Sequence, residues 1–178
     1  MTMLIYIAIS LLALALIFGV MRGNTRKVNG LDDLETRLKS VDLAAFLNLT
    51  DPEDLEFLRA SLSRSEFRRV QRKRTIAALR YLSAVSHNAA VLLRMGELAR
   101  HSQNIRTRQA GQELIDTALQ TRMFVAVLYL RMVSDLVRPS GMVQAQRLLE
   151  GYEDMKERLV HLVSIEQPMM TSRAATML

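Results

Sequence analysis

The stretch SRSEFRRVQRKRTIAALRYLSAVSHNAAVLLRMGELAR, residues 63–100, decides the fold of this chain. Ser63 or Ser65 can cap a helix there, and apolar residues then recur at heptad-like spacings as far as Leu98. This period is typical of one face of an α-helix, so we predict a single long helix that ends at about Arg100. The predicted seam consists of Phe67, Val70, Ala77, Tyr81, Ala84, Val91, Met95 and Leu98.

Two further long helices are predicted after this one. The polar stretch 100–108 is expected to contain a turn, with helices following at 106–137 and at about 140–166. Pro139 and Gly141 lie in a short connection, so these two helices should be antiparallel neighbours. The residues expected to point inward are Leu114, Ile115, Ala118, Val125, Leu128, Tyr129, Met132 and Leu136, then Ala145, Leu148, Tyr152, Met155, Leu159 and Leu162.

Two short proximal helices are predicted before the long one. Apolar residues at spacings of three and four indicate an amphipathic helix over Leu31–Leu47. In LTDPED, residues 49–54, Thr50 or Asp51 can cap the second helix. Glu53 stands three residues after Thr50, which is the spacing of a capping box.

These patterns predict an all-α protein. No alternating run bounded by turn residues suggests a strand, and Gly and Pro together number only ten. We therefore expect an antiparallel bundle of about three long helices, preceded by two short proximal helices. A helix of about 36 residues is roughly 54 Å long, so the bundle should be a rod.

The N-terminus carries a predicted membrane anchor. MLIYIAISLLALALIFGVM, Met3–Met21, has nineteen residues without a charge, enough to span the hydrocarbon core of a bilayer at roughly 29 Å. A cleaved signal peptide would have a basic start, a shorter apolar stretch and a small-residue cleavage site, and the chain lacks these features. The sequence therefore predicts a single-pass transmembrane helix at residues 1–22.

Positive charge follows the anchor and none precedes it. Arg22, Arg26, Lys27, Arg37 and Lys39 lie on the C-terminal side, which places that side in the cytoplasm by the positive-inside rule. We expect a protein of the cell membrane with its N-terminus outside and its C-terminal domain cytoplasmic. The predicted order is an anchor at 1–22, a polar linker at 23–30, the short proximal helices at 31–62, the long-helix bundle at 63–167 and a disordered tail at 168–178.

The start of the long helix carries a basic face, defined here as Arg64, Arg68, Arg69, Arg72 and Lys73. At 100° per residue these side chains cover about half of the helix circumference. The segment 64–80 holds seven cations and one anion, which equals the net charge of +6 of the whole chain. The high pI of the chain therefore comes from one local cluster.

Three anionic surfaces fit the basic face. Acidic lipid head groups are nearest, because the chain is predicted to be tethered to a bilayer, and each cation near an acidic leaflet contributes about 1 kcal/mol. Nucleic acid is less favoured, because the cluster lacks interleaved aromatic residues and a recognised nucleic-acid motif. The third is an acidic protein or the chain's own segment Asp51–Glu56, which could fold over the cations and mask them.

The chain shows no motif for catalysis, and we assign no catalytic residue, metal site or cofactor. It contains no cysteine, no glycine-rich phosphate loop and no nucleophile motif. Glu97 with His101 and Glu157 with His161 are spaced i, i+4, whereas metal sites in helical bundles use Glu and His at i, i+3. Exposed helix pairs explain this spacing better.

Two functional hypotheses remain. The first is a membrane-anchored helical scaffold or interaction module without catalytic activity, which contacts protein partners or another copy of itself. The second is a polyanion-binding protein that uses the basic face to bring nucleic acid or acidic lipid to the membrane. An adaptable docking face near the last helix, with Met142, Met155, Met169 and Met170, is a weaker expectation than ordinary core packing.

Overall fold

The computed structural model describes residues 31–137 and 146–166, and these residues are all-helical with no strand. The predicted anchor, linker and C-terminal tail lie outside the described residues, as does the connection at 138–145 with Pro139, Gly141 and Ala145. The described helices are α1 (Leu31–Arg37), α2 (Leu43–Thr50), α3 (Pro52–Ser61), α4 (Arg64–Arg100), α5 (Ile105–Val137) and α6 (Gln146–Glu166).

The prediction of one helix over Leu31–Leu47 is wrong, because the chain forms α1 and α2 with a break between them. Asp42 ends the break as an N-cap: its backbone is extended and its carboxylate accepts a hydrogen bond of 2.9 Å from Ala45 N. Asp caps a helix well because its side chain satisfies a backbone N–H that has no partner within the helix. This local bond outweighs the amphipathic pattern that runs through the break.

The start of α3 is capped by Asp51 rather than by Thr50. The Asp51 carboxylate accepts a hydrogen bond of 2.9 Å from Glu53 N, and Pro52 occupies the first turn. Thr50 instead donates its hydroxyl to Phe46 O at 3.0 Å, within the last turn of α2. The predicted capping box between Thr50 and Glu53 therefore does not form.

Helix α4 confirms the predicted long helix. Ser63 caps it in a reciprocal capping box, in which Ser63 Oγ accepts from Glu66 N and the Glu66 carboxylate accepts from Ser63 N at 3.2 Å. The hydrogen bond from the Ser63 hydroxyl lowers the pKa of the Glu66 carboxyl, because it stabilises the ionised form. The helix ends at Arg100, and the polar stretch after it forms the turn into α5.

The buried face of α4 differs from the predicted seam. Leu98 is 49% exposed, and Phe67, Val70 and Tyr81 are only partly buried, although Val91 and Met95 are in the core. The face that is buried instead consists of Ala78, Leu82, Val85, Ala89, Leu92, Gly96 and Ala99. This face is rich in small residues, which allow a neighbouring helix to approach closely.

Helices α4 and α5 cross in close contact at two glycines. A Cβ atom placed on Gly96 would lie 2.8 Å from Gly111 O and 2.8 Å from a side-chain carbon of Ile115. A Cβ atom on Gly111 would lie 2.8 Å from the Ala99 Cβ atom and 2.9 Å from Arg100 N. Any larger residue would push the two backbones apart, so both positions require glycine.

Helix α6 packs against α5. Thr117 donates to an Asp154 carboxylate oxygen at 3.3 Å, and Thr121 donates to Gly151 O at 3.2 Å. The predicted seam of α6 is confirmed for its five described members, Leu148, Tyr152, Met155, Leu159 and Leu162. On α5, Leu114, Ile115, Ala118, Val125, Leu128 and Met132 are buried as predicted, and Tyr129 is partly buried.

One helix in the described part of the chain, α4, is long and apolar enough to cross a membrane by length and composition alone. Half of its most apolar window is buried inside the protein, and the core helices of soluble proteins pass the same test. The finding is therefore weak evidence for a span at α4.

Substitution of the crossing glycines should destabilise the protein. We expect Gly96→Ala and Gly111→Ala each to lower the free energy of unfolding by about 1–3 kcal/mol, because the new methyl group overlaps backbone atoms of the neighbouring helix. Urea unfolding of the full chain in detergent, followed by far-ultraviolet circular dichroism, measures this loss.

The control is Gly151→Ala on α6, where the nearest atom to a new Cβ, Thr121 Oγ1, is at an ordinary distance of 3.6 Å. Alanine favours a helix over glycine by roughly 1 kcal/mol, so this variant should be as stable as the natural chain or more stable. Equal free energies of unfolding for the three variants would show that the crossing of α4 and α5 can accept a methyl group without loss of stability.

Candidate interaction surfaces

A buried amide on α4 connects three parts of the protein. Asn88 is fully buried, and its Oδ1 accepts a hydrogen bond of 2.8 Å from Lys39 N. Its Nδ2 donates to Lys39 O at 2.7 Å and to the Tyr152 hydroxyl at 2.9 Å. One side chain thus satisfies both backbone polar groups of a residue in the α1–α2 break, and it also contacts α6.

The segment Leu31–Thr50, called here the proximal arm, is held against α4 by further contacts. Leu34 is fully buried and Phe46 is 2% exposed, with the Phe46 ring 6.2 Å from the Tyr81 ring. A ring nitrogen of His87 lies 3.0 Å from Arg37 O. These contacts hold the proximal arm in place on the long helix α4.

All five residues of the basic face are exposed. Within residues 31–137 and 146–166, none of their side chains forms an ion pair or a hydrogen bond. The structure therefore brings these cations together on one helix surface, as the spacing predicts, and leaves their charge open to solvent.

The acidic segment Asp51–Glu56 does not cover the basic face. Asp54 reaches Arg74 instead, at 3.5 Å, and Arg74 also donates to Asn48 O at 2.9 Å. The Arg74 side chain, at the end of the sequence RRVQRKR (residues 68–74), is largely buried with these partners. Asp51 is used as the cap of α3.

An uncovered apolar stripe runs along the outward face of α5. Leu119 is 41% exposed, Met123 is 64% exposed and Val127 is 63% exposed. A spacing of four residues places them side by side on one helix face. We call Leu119, Met123 and Val127 the α5 stripe; the exposed residues Asp116 and Arg131 lie before and after it.

The α5 stripe is not among the surfaces predicted from the sequence. The docking face considered there consists of methionines on or near the last helix, but Met155 is fully buried, and Met142, Met169 and Met170 lie outside the described residues. The available signal was the recurrence of large apolar residues every four positions on the side of α5 opposite its inward residues.

Three acidic residues of α4 and α5 have structural partners. Glu113 accepts a hydrogen bond of 2.6 Å from Arg158, and this carboxylate raises the pKa of the Arg158 guanidinium. Asp116 accepts from Gln112 Nε2 at 2.9 Å. Glu97 pairs with Arg94 at 2.7 Å. These contacts are i, i+3 and i, i+4 pairs or a bond between neighbouring helices, and they assemble no acid–base pair.

An open groove of about 480 Å³ lies along α6, lined by Glu153, Lys156, Glu157, Val160, His161 and Ser164. All six residues belong to one helix face. In the described part of the chain, no group of three His, Cys, Asp or Glu residues is placed to hold a metal ion.

Comparison of the chain with protein-family models, with curated proteins and with solved structures finds no match.

Removal of the buried amide should cost more than removal of its hydroxyl partner. We expect Asn88→Ala to lower the free energy of unfolding by about 2–4 kcal/mol, because it leaves Lys39 N and O without their partner and opens a small cavity. Urea unfolding of the full chain in detergent measures the change.

Tyr152→Phe is the matched control. It removes only the hydroxyl that accepts from Asn88, so the expected loss is about 1 kcal/mol. If Asn88→Ala were no more harmful than Tyr152→Phe, the bonds to Lys39 would contribute nothing to stability.

Proposed function

We propose that the chain is a membrane-anchored helical interaction module that faces the cytoplasm. In this proposal residues 3–21 span the bilayer, and α4, α5 and α6 form an antiparallel bundle that presents a contact surface. The observation that carries the proposal is the α5 stripe, where three large apolar side chains remain uncovered side by side. Single apolar residues on a surface are ordinary, whereas a contiguous group often marks a contact site.

The packing of the long helices supports the bundle. Helix α5 contacts α4 along the glycine crossing and contacts α6 through Thr117 and Thr121. These two neighbours occupy the inward side of α5, so the stripe on its other side is free to meet a partner.

The proximal arm supports a rigid link between the membrane and the bundle. Asn88 and His87 bind the backbone of the arm, and Leu34 and Phe46 are inserted in the core. An arm fixed in this way would hold the bundle at a defined position below the anchor instead of on a loose tether.

Single introduced cysteines can test both the orientation of the chain in the membrane and the coverage of the α5 stripe by a partner, because the natural chain has no cysteine. A membrane-impermeant maleimide applied to intact cells should label Thr2→Cys but not Glu157→Cys. In isolated native membranes, Met123→Cys should react at least several-fold more slowly than Glu157→Cys, because a partner covers the α5 stripe. In the purified, diluted chain the two should react at similar rates.

Labelling of Glu157→Cys in intact cells would overturn the orientation. Equal reaction of Met123→Cys and Glu157→Cys in native membranes would show that no partner covers the stripe, and the interaction module would then be wrong.

A second candidate function is the binding of polyanions, favoured by the unpaired, exposed cations of the basic face. Five phosphate contacts would give a slope of roughly −4.5 in a plot of log affinity for duplex DNA against log salt concentration. Acidic lipid would be bound by the same charges, with about 1 kcal/mol from each cation.

Charge reversal tests this second function. The full chain in neutral-lipid nanodiscs is titrated with fluorescent duplex DNA and with vesicles that contain acidic lipid. Reversal of Arg68, Arg69, Arg72 and Lys73 to Glu should weaken binding at least tenfold. The control reverses four other exposed arginines, Arg100, Arg106, Arg108 and Arg147, and so changes the net charge equally. Equal losses in the two variants would indicate an effect of net charge without a role for the basic face.

A further inference from the structure

We propose that the α5 stripe binds a second copy of this chain, with the two α5 helices antiparallel. The inference rests on the proposed interaction module and names its partner. Three features of α5 carry it: the symmetry of the stripe, the charges at its ends and the residues that surround it.

The stripe is symmetric about its centre. Leu119 and Val127 stand four residues before and after Met123. A two-fold axis at Met123 would therefore place Leu119 of one chain opposite Val127 of the second copy, and Met123 opposite its own equivalent. A surface that repeats in this way can form an isologous dimer, in which both copies use the same patch.

The charges at the ends favour the antiparallel orientation. Asp116 lies seven residues before Met123 and Arg131 lies eight residues after it, and both are exposed. In the antiparallel pair each Asp116 would be near an Arg131 of the other copy. A parallel pair would place two aspartates together and two arginines together, which is unfavourable.

The surroundings of the stripe fit a protein better than a lipid surface. Helices that lie on membranes carry Lys and Arg beside their apolar face. Of the exposed residues beside the α5 stripe, Gln112, Asp116 and Gln120 are neutral or acidic, and Arg131 at its end is a cation. An acidic leaflet would repel Asp116, whereas a second copy offers Arg131 to it.

The predicted anchor is compatible with this dimer. Two chains held in one bilayer meet at a raised effective concentration, so a small contact suffices. The two-fold axis would cross α5 at a right angle. When that axis is normal to the membrane, both N-terminal segments point to the same leaflet and both rods lie along the membrane surface.

Disulfide cross-linking in isolated membranes tests the arrangement. Met123→Cys should form a disulfide-linked dimer on mild oxidation, because this residue meets its own equivalent. Leu119→Cys alone and Val127→Cys alone should not, because equivalent residues would be about 12 Å apart along the helix axis, beyond the reach of a disulfide. Co-expression of these two variants should give the mixed dimer. Glu157→Cys is the remote control.

Charge exchange provides the second measurement. In the Met123→Cys chain, Asp116→Arg should reduce the cross-linked fraction several-fold, because it places like charges opposite each other. Addition of Arg131→Asp should restore the fraction, because the pair is then reversed and again attractive. A purely structural effect of Asp116→Arg would not be corrected by the second substitution.

Each other outcome overturns the inference. Self-cross-linking of Leu119→Cys and of Val127→Cys would indicate a parallel pair. Absence of cross-links together with slow maleimide labelling of Met123→Cys would leave the interaction module standing with a different partner. Absence of cross-links together with rapid maleimide labelling of Met123→Cys would contradict both the dimer and the interaction module.

Discussion

The close crossing of α4 and α5 at Gly96 and Gly111 is the constraint on which the rest of the structure depends. The two backbones approach until the Gly111 carbonyl oxygen lies only 2.8 Å from where a Cβ atom of residue 96 would be. This approach decides which face of α4 is buried against α5. It also fixes the rotation of α5, which turns Thr117 and Thr121 toward α6 and leaves Met123 on the outside.

Local patterns predicted the long helices well, but they predicted the helix at Leu31–Leu47 and the faces of α4 poorly. The ends of α4 follow from a serine cap and a polar turn, which are local signals, and the seam of α6 follows from a regular apolar repeat. The buried side of α4 depends on glycine and alanine, which carry little hydrophobic signal. The predicted seam therefore followed the larger residues, among them Leu98, which is 49% exposed.

The candidate surfaces likewise include features that the sequence pattern predicts and features that it does not predict. Helical periodicity was enough to place the five cations of the basic face on one surface. It could not show that Asp54 would pair with Arg74, twenty residues away along the chain. It also could not show that Asn88 would bind the backbone of Lys39, forty-nine residues away. Such contacts depend on tertiary packing, which a repeat in one helix does not encode.

The contact between Asn88 and Lys39 involves an amide side chain and a peptide backbone, and Lys39 as a residue is exposed. Position 39 can therefore accept almost any amino acid without loss of the contact. Proline alone lacks the N–H group that the contact needs. Only the residue at position 88 must supply a particular side chain. Amino-acid substitutions should therefore be common at residue 39 and rare at residue 88 during evolution.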